Sequence, residues 1–161
     1  MNLNSRDNVY HIECFPHRGN LLVNGCFDIV HRGHVALFEF CAKHSMDNKV
    51  IVATNSDESI KKLKGSDRPF IKEEDRVALL SSIKWIDYVV IFDTKSVLPV
   101  IEKILPKILV KGGDYNVKPN SQHDRIVGQD FVKSYGGRVL TGPMVEGVST
   151  TNIIKKIKER C

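Results

Sequence analysis

An α/β fold, with a five-stranded, mainly parallel sheet flanked by helices, is what this sequence predicts on three observations. Its apolar runs, such as Val50-Ile51-Val52 and Ile108-Leu109-Val110, continue without alternation, as strands buried on both faces require. Between them lie segments with apolar residues three and four apart, the spacing of helices that cover a sheet. Turn-forming residues follow the strands at Asn24-Gly25 and Gly112-Gly113, at the edge where open α/β sheets carry their ligands.

In chain order, Met1 to Asn20 is polar, with Pro16 and Gly19 as breakers, and reads as an irregular lead-in (1–20) to one domain (21–161). Leu21 to Asn24 is the first strand. The helix after it places Val35, Phe38, Cys41 and Ala42 on one side. Lys49 to Thr54 is the second strand, and Asn55-Ser56-Asp57 leads from it into a helix N-cap. The densest basic cluster follows, with Lys61, Lys62, Lys64 and Arg68 around Gly65, and reads as a mobile phosphate-grasping arm. Glu73 to Lys84 is a helix with Val77, Leu80 and Ile83 inward; Arg76 in its first turn opposes the helix dipole. Ile86 to Phe92 is the third strand and Ser96 to Leu105 a helix. Ile108 to Val110 is the fourth strand, 116–125 a polar loop, Val127 to Ser134 a short helix and Arg138 to Leu140 the fifth strand. Ser149 or Thr150 caps the last helix, which turns Ile153, Ile154 and Ile157 inward.

The 161 residues suit a single domain with a sizeable core. No apolar run approaches a membrane span, so no membrane partner is expected. The polar Met1 to Asp7 lacks the apolar centre of a signal peptide, which makes the cytoplasm the expected location. Cys14, Cys26, Cys41 and Cys161 are widely spaced without a Cys-x-x-Cys pair, so free thiols are expected. The net charge of +5 has no long basic tract with interleaved aromatics, which argues against nucleic acid and for phosphate-bearing small molecules.

The chemistry concentrates at Leu21 to His34. A strand, a glycine-bearing turn and a helix start together make an anion site, because the first helical N–H groups are unpaired and the dipole favours negative charge. His31 and His34, three apart, project from one face of that start, and Gly33 leaves room for a ligand. The pair reads as two donors to nucleotide phosphates. A surface turn with two histidines, and half of a zinc site, are the other readings; zinc needs a further protein ligand. Three hydroxyls, Ser149, Thr150 and Thr151, form a second anion site at the last helix start.

Asn24-Gly25-Cys26-Phe27-Asp28 with His31-Arg32-Gly33-His34 resembles the nucleotide-binding signature of the cytidylyltransferase-like nucleotidyltransferases. Asn55-Ser56-Asp57, Lys62-Leu63-Lys64-Gly65, Arg68-Pro69, Arg76, Lys111-Gly112-Gly113-Asp114-Tyr115 and Ser149-Thr150-Thr151-Asn152-Ile153-Ile154 follow in that family's order, so the resemblance spans roughly residues 21–158. Within the superfamily the chain is most similar to the adenylyltransferase domains of ADP-heptose synthesis, which are often fused behind a sugar kinase, and a stand-alone form is the expectation here. Glycerol-3-phosphate cytidylyltransferases are the nearest competitor; they place an arginine where this chain has Met144.

The resemblance implies a Rossmann-like domain that joins ATP and heptose 1-phosphate into an ADP-sugar with release of pyrophosphate. It implies catalytic roles for His31, His34, Lys64 and Arg76, the last two over the β- and γ-phosphates. Nucleotide binding would fall to Asn24, Gly25, Cys26, Phe27, Asp28, Gly33, Ser149, Thr150 and Thr151. Sugar-phosphate binding would fall to Asn55, Asp57, Lys61, Lys111, Gly112, Gly113 and Asp114. Mg²⁺ is expected with the triphosphate, with no protein metal site. A homodimer and a separate sugar kinase are the expected partners. The alternatives are a CTP-dependent enzyme acting on glycerol 3-phosphate and a non-catalytic nucleotide-binding module.

Overall fold

The computed structural model describes residues 7–46, 49–113 and 126–160. Its core is one all-parallel sheet with six strands rather than the five expected. In chain order these are β1 (Val9–His11), β2 (Leu21–Gly25), β3 (Val50–Asn55), β4 (Tyr88–Phe92), β5 (Ile108–Lys111) and β6 (Arg138–Thr141). The helices are α1 (Arg32–His44), α2 (Asp57–Lys64), α3 (Glu73–Leu80), α4 (Leu98–Ile104), α5 (Gln129–Ser134) and α6 (Thr150–Lys158).

The additional strand lies in the stretch read as an irregular lead-in. β1 pairs with β4 at the sheet edge, and Ile12 and Phe15 after it enter the core. Three residues are too few to show a period. What orders them is tertiary: Tyr10 and Phe15 close edge-on around Tyr88 of β4, with centroids 6.1 and 5.6 Å away.

The strand order is β1-β4-β3-β2-β5-β6. Both faces of the sheet are covered, which explains the unbroken apolar strands. Leu22, Ile51, Val90 and Leu109 point to the face covered by α4 and α5, where Ile101, Ile104 and Val132 wait. Leu21, Val23, Val52, Ile91 and Val110 point to the other, against Leu37, Phe38 and Cys41 of α1 and Val77 and Leu80 of α3. Chain progression runs outward from β2 in both directions, to β3 on one side and β5 on the other. The carboxyl ends of β2 and β5 therefore form the switch point where an open α/β sheet leaves a crevice.

The basic arm is more regular than expected. Residues 57–64 form α2, capped by the Ser56 hydroxyl, which accepts the Ser59 N–H at 3.2 Å. Lys61, Lys62 and Lys64 thus ride on a helix that ends at Gly65, whose φ of +98° suits glycine. Asp114 and the loop 116–125 lie outside the described residues.

Candidate active site

A cavity of about 590 Å³ opens along the carboxyl ends of β4, β3, β2 and β5. The β2–α1 turn forms its floor with Asn24, Gly25, Cys26, Phe27 and Asp28, and the start of α1 adds His31, Gly33 and His34. Asn55, Lys64, Lys111, Gly112, Gly113 and Thr150 complete the predicted residues that meet there. Asp57, Lys61, Arg76, Ser149 and Thr151 are not among its lining.

The two histidines are locked together. Their rings stack with centroids 3.8 Å apart and 20° between planes. The His31 backbone N–H donates to His34 Nδ1 at 3.3 Å. An Nδ1 that accepts leaves the proton of the neutral ring on Nε2, so His34 presents a fixed N–H donor. Burial, then the neighbouring His31 and Lys64, holds His34 down to about 4. Burial likewise lowers His31, whose Nδ1 is buried without a partner among the described residues. Two neutral imidazoles are thus held at a helix N-terminus, where an anion would satisfy the orphan nitrogen and favour their protonation.

Backbone strain shapes this floor. Phe27 sits at φ +46°, an uncommon conformation for an aromatic residue that costs roughly 1–3 kcal/mol. It places the ring edge-on to His34 at 5.2 Å and against Phe38 at 5.2 Å. Gly25 makes room, because a Cβ there would lie 2.9 Å from the Phe27 ring. A Cβ on Gly33 would lie 3.1 Å from the His31 ring and 3.9 Å from the Val148 carbonyl, so the start of α1 runs close beside the approach to α6.

Asp28 lines the cavity but is not a free carboxylate. Its Oδ2 accepts Arg68 at 2.8 Å, and its Oδ1 accepts the Phe70 and Ile71 N–H groups at 2.7 and 3.0 Å. It ties the far end of the basic segment to the β2–α1 turn. Lys64, Lys95 and Lys111 line the same space, which makes it strongly cationic. Burial lowers the Lys111 ammonium, with Lys64 adding to the effect and Cys26 opposing it.

Arg76 departs most from expectation. It is fully buried, and all five of its N–H donors are spent. Nε donates to the Ile71 carbonyl, Nη1 to the Cys26 carbonyl and the Thr54 hydroxyl, and Nη2 to the Asn55 carbonyl and the Asp57 carboxylate, at 2.8 to 3.1 Å. It pins three loops together under the cavity instead of covering phosphates, and Asp57 is its ion-pair partner instead of a sugar ligand. Lys61 faces outward, paired with Glu58 at 2.9 Å. Ser149 caps α6, accepting the Asn152 N–H at 3.1 Å; Thr150 reaches the cavity and Thr151 is exposed.

Sequence reasoning missed Lys95 and Ser96, which enter from the β4–α4 loop, and the apolar wall of Ile126, Val127, Pro143, Val145 and Val148. Neither carries a motif: a single lysine in a loop and scattered apolar residues gain meaning only from the sheet edge they face.

Comparison with known proteins agrees with this geometry. The model of the cytidylyltransferase-like family matches residues 22–156. The chain is 43% identical to bifunctional protein HldE of Alcanivorax borkumensis over 87% of its own length and 28% of that protein's. Against HldE of Geotalea uraniireducens the identity is 45%, over 88% and 28% of the two lengths. The chain thus spans less than a third of these relatives. A lipopolysaccharide core biosynthesis protein from Thermoplasma volcanium shares the fold, with a TM-score of 0.62 at 20% identity over 80% of this chain and 100% of that one. From the signature at Asn24 to His34, the parallel sheet that carries it and the family match over most of its length, the chain belongs to the cytidylyltransferase-like family of nucleotidyltransferases.

Proposed function

We propose that this protein joins ATP and a sugar 1-phosphate, with heptose 1-phosphate the preferred acceptor, to give an ADP-sugar and pyrophosphate. The observation that carries the reading is the stacked His31–His34 pair, with its fixed Nε2 donor, at a helix start on the floor of a cationic cavity. The likeness to HldE proteins supports the choice of acceptor.

In this mechanism an oxygen of the sugar phosphate attacks the α-phosphorus of ATP. A new P–O bond forms, the α–β P–O bond breaks and pyrophosphate leaves. A phosphate monoester loses its second proton near pH ~6, so the nucleophile is already anionic and needs no general base. The protein's task is alignment and neutralisation of developing charge. His31 and His34 donate to the α-phosphate oxygens, Lys64 neutralises the leaving pyrophosphate, and the starts of α1 and α6 add unpaired N–H groups. Arg76 acts by holding Cys26 and Asn55 in place.

Mg²⁺ enters as the companion of the triphosphate. Among the described residues no group of three or more His, Cys, Asp or Glu could hold a metal, and the Asp28 carboxylate is already committed. In this reading the ion would be kept by phosphate oxygens and water. A sugar kinase is the proposed source of the phosphorylated acceptor in this reading.

Mixing ATP, CTP, GTP and UTP with heptose 1-phosphate, hexose 1-phosphates and glycerol 3-phosphate, and following pyrophosphate, tests the proposal. ATP with heptose 1-phosphate should give the fastest release. No release from any pair would overturn the transferase.

A further inference from the structure

The basic segment is fastened at both ends to the turn that leads into the histidines. At its start, Arg76 Nη2 donates to the Asp57 carboxylate at 2.9 Å while Nη1 donates to the Cys26 carbonyl at 2.8 Å, so the first turn of α2 is fixed to the β2–α1 turn. At its far end, Asp28 of the same turn takes the Arg68 guanidinium on Oδ2 at 2.8 Å and the Phe70 and Ile71 N–H groups on Oδ1 at 2.7 and 3.0 Å. α2 and the connector 65–72 span these two anchors. The Phe70 ring lies 4.5 Å from the Arg68 guanidinium and covers one of its faces.

Lys64 lies between the anchors. It is the last residue of α2, and Gly65 turns the chain at once, its carbonyl accepting the Arg68 N–H at 3.2 Å. A single tight turn thus joins the end of the helix to the Arg68–Asp28 pair. Lys64 faces the cavity, near enough that its charge helps to hold down both His34 and Lys111. Yet it is exposed, and an ammonium on a four-carbon stem gains no fixed place from packing. Helix ends fray, so an unheld last turn would spread that charge through solvent. Arg68 is absent from the cavity wall and only 21% exposed, with its charge matched by Asp28. What the pair fixes is the turn that follows Lys64.

From this geometry we infer that Arg68 is a positioning residue: paired with Asp28, it locks the α2–α3 connector to the β2–α1 turn and so presets the Lys64 ammonium at the cavity before a phosphate ligand arrives. The inference rests on the proposed function for what Lys64 then serves, the leaving pyrophosphate. A mobile arm would lose entropy on closing over each ligand, whereas a preset lysine has lost it on folding. Arg68 thus adds affinity for the pyrophosphate group without touching it.

Inorganic pyrophosphate is the probe, its binding measured by calorimetry on the wild type, Arg68→Ala, Arg68→Lys, Lys64→Ala and the double variant Arg68→Ala with Lys64→Ala. Lys64→Ala should weaken binding about ten- to hundredfold, the worth of one charge-assisted contact. Arg68→Ala should weaken it about tenfold, and Arg68→Lys should recover part of the loss. The double variant should bind within about twofold of Lys64→Ala, because Arg68 acts only through that lysine. Hydrogen exchange over 61–71 in the ligand-free protein should be slow in the wild type and about tenfold faster in Arg68→Ala, with the sheet amides unchanged. If alanine lowers protection throughout the sheet, Arg68→Gln, which keeps most of the stem and loses the charge, takes its place in the cycle. Unchanged pyrophosphate binding in Arg68→Ala overturns the inference. Additive losses in the double variant overturn it too, since the effect is then that of a carboxylate left bare near the anion. Equal exchange in wild type and variant also overturns it, because the arm is then not held by Arg68. Non-additive losses in a protein that releases no pyrophosphate from any substrate pair sustain the inference and sink only the transferase.

Discussion

The His31 backbone N–H and the His34 ring nitrogen Nδ1 are joined at 3.3 Å, and that one bond settles which end of the second imidazole can serve a ligand. A packing histidine would be indifferent to the tautomer. A phosphate donor is not, since only the ring with its proton on Nε2 offers an N–H outward. His34→Ala is expected to lower turnover on the order of 10²–10³-fold, the usual loss for one transition-state donor. The fold should survive, because His34 sits at a helix start outside the apolar core. Steady-state kinetics beside circular dichroism measure both; near-normal turnover in a folded variant would end the catalytic role.

The same burial makes the protein acid-sensitive. His34 is held near 4 when folded against 6.5 ordinarily, so the unfolded chain binds a proton across that window that the folded one refuses. Stability therefore rises with pH between these values and is lost as pH falls through them, by up to about 1.4 kcal/mol per unit from this residue. Urea unfolding at pH 7 and pH 5 should show the drop, and His34→Asn should flatten it. An equal drop in the variant would move the cause elsewhere.

Arg76→Lys should destabilise the protein nearly as much as Arg76→Ala. Lysine offers three donors from one point and cannot reach carbonyls on three loops. Either change leaves buried carbonyl acceptors unpaired, and alanine removes the partner of the Asp57 carboxylate as well, at a cost of about 3–5 kcal/mol. The denaturant midpoint is the measure. A stable Arg76→Lys that loses only turnover would return the arginine to the phosphates.

These contrasts show what was legible in the sequence. The parallel sheet could be read because Val50 to Val52 and Ile108 to Val110 are buried on both faces and so lose the period of a half-exposed strand. The motif at Asn24 to His34 was legible because its chemistry is local: strand end, turn and helix start are neighbours in the chain. β1 was not, since Val9–His11 is ordered by Tyr88, far away in sequence. Nor was the role of Arg76, because the acceptors that consume its donors come from residues 26, 54, 55, 57 and 71. The resemblance placed it over the phosphates, whereas its hydrogen bonds commit all five donors to protein acceptors.

Gly25→Ala is expected to injure turnover more than stability. The new Cβ would lie 2.9 Å from the tip of the Phe27 ring, which must then move, and Phe27 is what the His34 ring leans on. A loss of about tenfold or more in kcat, with a melting temperature within a few degrees of the parent, is the expected result. Retained kcat with a large fall in melting temperature would make the Gly25–Phe27 contact purely structural.

Substrate choice gives the last prediction. Met144 lies at the cavity, 69% exposed, where the glycerol-3-phosphate cytidylyltransferases that the sequence resembles place an arginine. A thioether on the apolar wall can lie against a purine ring but offers no donor to a pyrimidine carbonyl. ATP with heptose 1-phosphate should therefore exceed CTP with glycerol 3-phosphate in kcat/KM. One missing charge-assisted contact is worth about 1.5–3 kcal/mol, so Met144 alone accounts for at most roughly a hundredfold. Met144→Arg should narrow the gap by improving CTP, most visibly in its KM. If CTP is already preferred by the parent protein, the base assignment falls and the transferase stands. If Met144→Arg leaves the ratio unchanged, the base is read elsewhere on the β5–β6 wall.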